Sequence, residues 1–215
     1  MKKITLFVCL LIIAFVNAQD NQNQTDKLTF EKGTQFVNLN LSLRSDASDF
    51  QGTTQAQESK NFGFSINSSY AYAINNNLFL GLGVGYSKNT NEYTVGGVLE
   101  SESSGESYQI FPYVRYYKGI GEKLALYIQG EVRYSHFENE FNALNDNTSN
   151  NFFFGVRPGI TYMLHKNLAL ETSIGALGYT TSKIESNQSN AETRRNAFDL
   201  SLNTSNVFFG LNYYF

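Results

Sequence analysis

The sequence predicts an all-β fold, an eight-stranded antiparallel up-and-down transmembrane β-barrel with short turns at one rim and long loops at the other. Three observations predict it. Apolar and polar residues alternate at period two in eight separate runs. The connections between those runs alternate between short and long. The ionisable residues of the runs share one phase of the alternation, while the opposite phase is uncharged.

The N-terminus reads separately from the rest. "MKKITLFVCLLIIAFVNAQ" sets Lys2 and Lys3 before an apolar run from Ile4 to Val16, followed by Asn17 and Ala18. A charged start, a short apolar stretch and a small residue before the cut make a secretory signal peptide over 1–18. The run is shorter than the roughly 20 residues a spanning helix needs. Cys9 is the only cysteine and leaves with the signal, so the mature chain is expected to hold neither a disulfide nor a thiolate site. Loss of Lys2 and Lys3 takes the formal charge from −3 to −5, which argues against nucleic acid as a partner. Residues 19–33, "QDNQNQTDKLTFEKG", read as a polar leader, disordered on the periplasmic side. The barrel is expected over 34–215.

The strands follow in order. "TQFVNLNLSLR" alternates Val37, Leu39, Leu41 and Leu43 with Asn38, Asn40, Ser42 and Arg44. "NFGFSINSSYAYAI" sets Phe62, Phe64, Ile66, Tyr70, Tyr72 and Ile74 on one face, and "LFLGLGVGY" sets Leu78 to Tyr86 against Gly81, Gly83 and Gly85. "YQIFPYVRYY", "LALYIQGEVRY", "FGVRPGITYML", "LALETSIGA" and "VFFGLNYYF" complete the eight. Pro112 and Pro158 each remove a ladder donor, and a bulge or a widened pair is expected at both. The short turns are 75–77, 119–123 and 165–167; the long polar connections are 45–61, 88–106, 136–151 and 181–196. That asymmetry is the layout of an outer-membrane barrel.

The charges decide which face meets what. Arg44, Arg115, Glu131, Arg133, Arg157 and Glu171 share a phase, and a dry protein core does not collect ionisable groups in that way. With the uncharged face against lipid, they fill a polar interior where they can pair. Tyr72, Tyr116, Tyr162 and Tyr213 then form a girdle near the short turns, with Tyr86 and Tyr134 near the long loops. The chain ends on an aromatic ladder, Val207, Phe209, Leu211, Tyr213 and Phe215.

These features together resemble the OmpA/OmpX-like small outer-membrane β-barrel family. "PYVRYY" and the Leu-rich strand starts look like the barrel proteins of Bacteroidota-type bacteria. The resemblance implies residence in the outer membrane of a Gram-negative bacterium, among its lipid and lipopolysaccharide. It also implies that Phe209, Leu211, Tyr213 and Phe215 serve as a C-terminal signal for the barrel-insertion machinery. No peptidoglycan-binding domain is expected after the barrel.

Two candidate sites stand out. Glu131 and Arg157 sit at similar heights on neighbouring strands, and Arg115, Arg133 and Glu171 complete an interior ion-pair network. Such a network either gates a narrow channel for ions or small solutes or plugs an eight-stranded barrel, whose lumen is about wide enough for side chains alone. The plug is the expected reading. The long connections carry charges of −2, −3, −3 and +1 in order, a rim suited to adhesion or to an extracellular ligand the sequence does not name. His136 lies beside Ser135, but neighbours on a strand face opposite ways, so no nucleophile–base pair forms. No zinc, P-loop, Rossmann or nucleophile-elbow pattern occurs, so no cofactor, no metal and no enzymatic activity are expected.

Overall fold

The computed structural model describes residues 27–51, 56–141, 144–186, 192–201 and 208–215. The expected signal peptide, 1–18, and residues 19–26 of the expected leader lie outside the described residues. The described residues form ten strands: β1 Gln35–Gln51, β2 Ala56–Asn75, β3 Leu78–Val95, β4 Val98–Gly119, β5 Leu124–Phe141, β6 Leu144–Met163, β7 Leu168–Ser173, β8 Ala176–Ser186, β9 Glu192–Ser201 and β10 Phe208–Tyr214. Eight of them close a ring in the order β1, β2, β3, β4, β5, β6, β7, β10 and back to β1, each pair antiparallel. β8 pairs with the upper part of β6, and β9 with β8. The seventh sequence run is therefore interrupted at 174–175, between β7 and β8, whereas β10 covers 208–214 of the eighth run without a break; β8 and β9 lie outside the ring of eight.

The prolines sit at two irregularities. Gly159 pairs with Ser173 but Val156 pairs with Leu177, so one extra residue is accommodated between β7 and β8. Pro158 has no N–H to give there; instead its carbonyl accepts from the Ile174 amide at 3.0 Å, and Gly175 takes a φ of 137°. At Pro112 the ladder between β4 and β5 pairs Ile110 with Tyr134 and Tyr113 with Glu131, and the two intervening residues do not pair.

The long connections differ from the sequence expectation. β1 and β2 pair as far as Gln51 with Ala56, and β5 and β6 as far as Phe141 with Leu144. β3 and β4 run to Val95 opposite Val98, closed by Gly96 and Gly97 at φ 60° and 82°, a two-residue turn that demands left-handed backbone at both positions. Most of what reads as loop is therefore ladder. Above the membrane both faces of a strand meet water, so the apolar phase that reveals a strand is missing.

The faces divide as the charges require. Leu39, Leu80, Leu82, Val84, Ile110, Val114, Ile128 and Val132 are exposed on the outer surface, while Arg115, Glu131 and Glu171 are buried inside. An aromatic rim tops the apolar band. The Tyr86 ring lies 5.7 Å from Phe64 and 5.1 Å from Tyr108, and Tyr134 lies 4.9 Å from Phe152. Tyr72, Tyr116, Tyr162, Tyr213 and Phe215 are exposed near the short turns. Inside, the glycines of β3 make room for the large residues of β4. A Cβ on Gly81 would stand 2.3 Å from the Tyr113 ring, and one on Gly83 would stand 2.2 Å from Phe111.

Outward-facing Gly130 has no atom within 4 Å of where its Cβ would be. Gly81→Leu is expected to lower the unfolding midpoint of the refolded barrel by an amount equivalent to about 1–3 kcal/mol or to block folding, as overpacking does. Gly130→Leu should leave it unchanged or raise it. Urea titration in lipid vesicles, followed by gel mobility without boiling, measures both.

Candidate functional site

The interior is layered from the short-turn end upward. The lowest layer is aromatic, with large and small side chains placed so that they fill one plane. Phe36, Phe79, Tyr117, Tyr127 and Tyr214 point inward, and Ala71, Ala73, Ala125 and Ala169 on neighbouring strands leave them space. Beneath them the chain itself closes the barrel. Phe30 is buried, its ring 4.8 Å from Tyr214, 4.7 Å from Tyr117 and 5.8 Å from Phe79. Its amide donates to the Asn77 side chain at 2.8 Å, and its carbonyl accepts from the Asn77 amide at 2.8 Å. Leu28 donates its amide to the Gly121 carbonyl at 2.8 Å, and Gly33 donates to that of Ala73 at 2.9 Å. The expectation of a disordered leader over 19–33 is thus corrected for 27–33. Leu28 and Phe30 are apolar residues in a polar segment, and the barrel base offers them an aromatic socket.

Above this floor lies a belt of ionisable groups. Arg115 pairs with Glu171 at 2.6 Å, donates to Gln129 at 2.9 and 2.6 Å and to the Tyr117 hydroxyl at 2.8 Å. Its guanidinium also lies 4.3 Å from the Tyr127 ring centre, a cation–π contact. Asn212 donates to the same Glu171 carboxylate. Gln129 then bridges to Glu131 at 2.7 Å, and Glu131 accepts from Arg133 at 3.1 Å and from Arg157 at 2.8 Å. Arg133 reaches on to Gln109 at 2.6 Å and lies 4.0 Å from the Phe111 ring centre. All five sequence-singled residues, Arg115, Glu131, Arg133, Arg157 and Glu171, are thus joined in one chain of contacts. Gln129, Gln109, Asn212 and Tyr117 were not singled out, although each shares the inward phase of its strand; that phase was the available signal.

The belt leaves one side of the lumen open. A cavity of about 390 Å³ lies above the floor, with Asn38, Asn40, Ser65, Asn67 and Ser87 along one wall and Arg133, Arg157 and Glu171 along the other.

The remaining candidates lie elsewhere. Arg44 sits on the upper part of β1 with its side chain 73% exposed and pairs with Asp46 at 3.1 Å, outside the belt. His136 is on the outer face, with Nδ1 2.8 Å from the Asn150 side-chain oxygen and Nε2 3.2 Å from Glu138. Of the C-terminal ladder, Leu211, Tyr213 and Phe215 are exposed outward; Val207 lies outside the described residues, as does the side chain of Phe209.

Inside-out alternation, two aromatic rims and a closed ring are those of a bacterial outer-membrane protein, and the model of the outer membrane protein beta-barrel domain family matches residues 6–215. The chain belongs to that family. Among solved structures, OprG from Pseudomonas aeruginosa superposes with a TM-score of 0.51 at 12% identity, covering 86% of this chain and 97% of that one. Neisserial surface protein A gives 0.46 at 18% identity, covering 85% and 99%, and Ail of Yersinia pestis gives 0.36 at 12%, covering 86% and 99%. No curated protein matches the sequence. The β-barrel family places the chain in the outer membrane of a Gram-negative bacterium.

Two outcomes follow from this geometry. Arg115→Met alone leaves Glu171 buried without its cation and is expected to cost about 3–5 kcal/mol, whereas Arg115→Met with Glu171→Gln should recover part of that loss; urea unfolding of the single and double variants measures the difference. His136 is raised above the ordinary imidazole range by its hydrogen bonds to Asn150 and then Glu138. A raised imidazole stabilises its hairpin fully below the unfolded-state pKa, and the contribution fades as pH rises through the folded value. NMR titration should place His136 above the free-imidazole value, with Asn150→Ala bringing it down.

Proposed function

We propose that this protein is a sealed outer-membrane barrel that presents its extended hairpins for adhesion or for binding at the cell surface, its lumen plugged by the ion-pair belt. The seating of Phe30 among Phe79, Tyr117 and Tyr214 carries the reading. An aromatic residue packed on three sides at one end of an eight-stranded lumen, which is only about wide enough for side chains, leaves no room there for hydrated ions. The belt above it supports the same reading, since its arginines are engaged by carboxylates and amides.

At the opposite end the hairpins rise well above the aromatic rim and carry exposed apolar residues at their ends, Phe50, Val98 and Leu99. Apolar side chains held in water at the tips of acidic hairpins suit contact with another surface. Outer-membrane lipid and lipopolysaccharide would surround the band, and the barrel-insertion machinery would read Phe209, Leu211, Tyr213 and Phe215. A catalytic role has no support: Ser135 and His136 face opposite sides of β5.

Residues 19–215 refolded into planar bilayers are expected to pass no steady current, while Phe30→Ala, or removal of 27–33, should produce brief openings. Steady ion-selective steps from the intact chain, altered by neutralising Arg157, would instead make the protein a narrow channel.

A further inference from the structure

We propose that the cavity above the belt is a binding site for a small hydroxylated anion, of the size and chemistry of a sugar acid, entering from the hairpin side. The proposal goes beyond the role of the hairpins and does not depend on it. Its volume, about 390 Å³, falls in the roughly 300–1,000 Å³ range of small-molecule sites.

The walls differ in chemistry. Strands β1, β2 and β3 supply neutral amides and hydroxyls, among them Asn38, Asn40, Ser65, Asn67 and Ser87, while β5 and β6 supply Arg133 and Arg157. Among the described side chains of the belt, three arginines face two carboxylates, a surplus of one positive charge. The surplus resides at Arg157. Only its Nε is engaged, by Glu131 at 2.8 Å. Its two terminal amino groups have no hydrogen-bond partner among the described residues, and its side chain is 28% exposed. The guanidinium lies 5.1 Å from the Phe153 ring centre, which holds the fork in place without using its donors. A planar fork with free parallel donors is built for a carboxylate or phosphate oxygen pair.

A second orphan lies on the opposite wall. The Asn40 side-chain oxygen is buried and has no partner, although its residue lines the cavity. An amide oxygen accepts and cannot donate. Turned toward the cavity by rotation of the side-chain amide, it would take a hydroxyl of the occupant, which an anion alone does not supply. Arg157 selects the charge; Asn40 and its neighbours select hydroxyl groups. Entry is from above, because Phe30 and the aromatic layer close the other end.

The test uses residues 19–215 refolded in lipid nanodiscs, with ¹⁵N-arginine labelling and gluconate, glucose and acetate as probes. Gluconate should shift the Arg157 Nε–H signal saturably and bind at least about tenfold more tightly than glucose or acetate, as a fork–carboxylate pair with added hydroxyl contacts requires. Arg157→Gln should remove that preference. Asn40→Ala should weaken gluconate and leave acetate unchanged. Gluconate binding no tighter than glucose, or unaffected by Arg157→Gln, overturns the site. If Arg157→Gln fails to give the folded gel form, the three-probe comparison on the unaltered chain and the Asn40→Ala contrast decide. A current through the barrel would overturn the sealed floor and leave this comparison standing.

Discussion

Lipid offers a backbone amide no hydrogen-bond partner, and nearly every feature of this protein answers to that constraint. A sheet in the bilayer has to close on itself, since an edge would leave a row of bare donors and acceptors. Closure makes every ring strand two-faced, with one face in hydrocarbon and the other in the lumen. The period-two alternation, the uncharged outer band from Leu80 to Val84 and the inward phase of Arg115, Glu131 and Glu171 are consequences of the same requirement. The constraint also explains why Pro158 is tolerated. Its missing donor faces the junction of β7 and β8, where the chain already bulges and the Ile174 amide uses the proline carbonyl.

The lumen then has to be filled, and it is filled differently at different heights. Near the short turns the walls are aromatic and alanine, and the packing is that of a soluble core. One turn of the ladder higher the same phase carries charge, and each carboxylate is held by more than one donor. Glu171 takes Arg115 and Asn212; Glu131 takes Gln129, Arg133 and Arg157. Burial makes an unpaired charge costly, so this multiplicity is what lets the belt exist between a hydrophobic floor and the hydrocarbon outside. The arginines add ring contacts with Tyr127, Phe111 and Phe153, which fix their planes as well as their charge.

How much of this was legible in the sequence depended on where each residue meets its solvent. Within the bilayer the two faces differ sharply, so the strand runs, the outward set and the five belt residues could be read from alternation alone. Above the bilayer the contrast vanishes: residues 88–95 and 98–106 pair strand to strand, yet their composition is that of a loop. The floor was hidden for a different reason. Leu28 and Phe30 lie in a segment with no periodicity, and nothing local distinguishes an aromatic that docks under a distant barrel from one in a disordered tail. Gln129 and Asn212 were on the inward phase, but neutral amides carry no signal until their partners are known. Gly81 and Gly83 showed where space was needed without showing that Tyr113 and Phe111 would fill it.

The two ends of the molecule consequently answer to different physics. At the lower end the ring of strands, the aromatic layer, the docked segment 27–33 and the belt reinforce one another, and removing any one exposes a buried charge or opens a void. At the upper end, among the described residues, β1 beyond Asn40 pairs only with β2, and β9 only with β8. Those strands are exposed on both faces and held by ladder hydrogen bonds in water, which contribute little net stability each. Their sequence is therefore bound by little beyond turn chemistry and solubility, as at Gly96 and Gly97. A barrel so divided can change what its hairpins present to the outside without disturbing the closure that keeps it in the membrane.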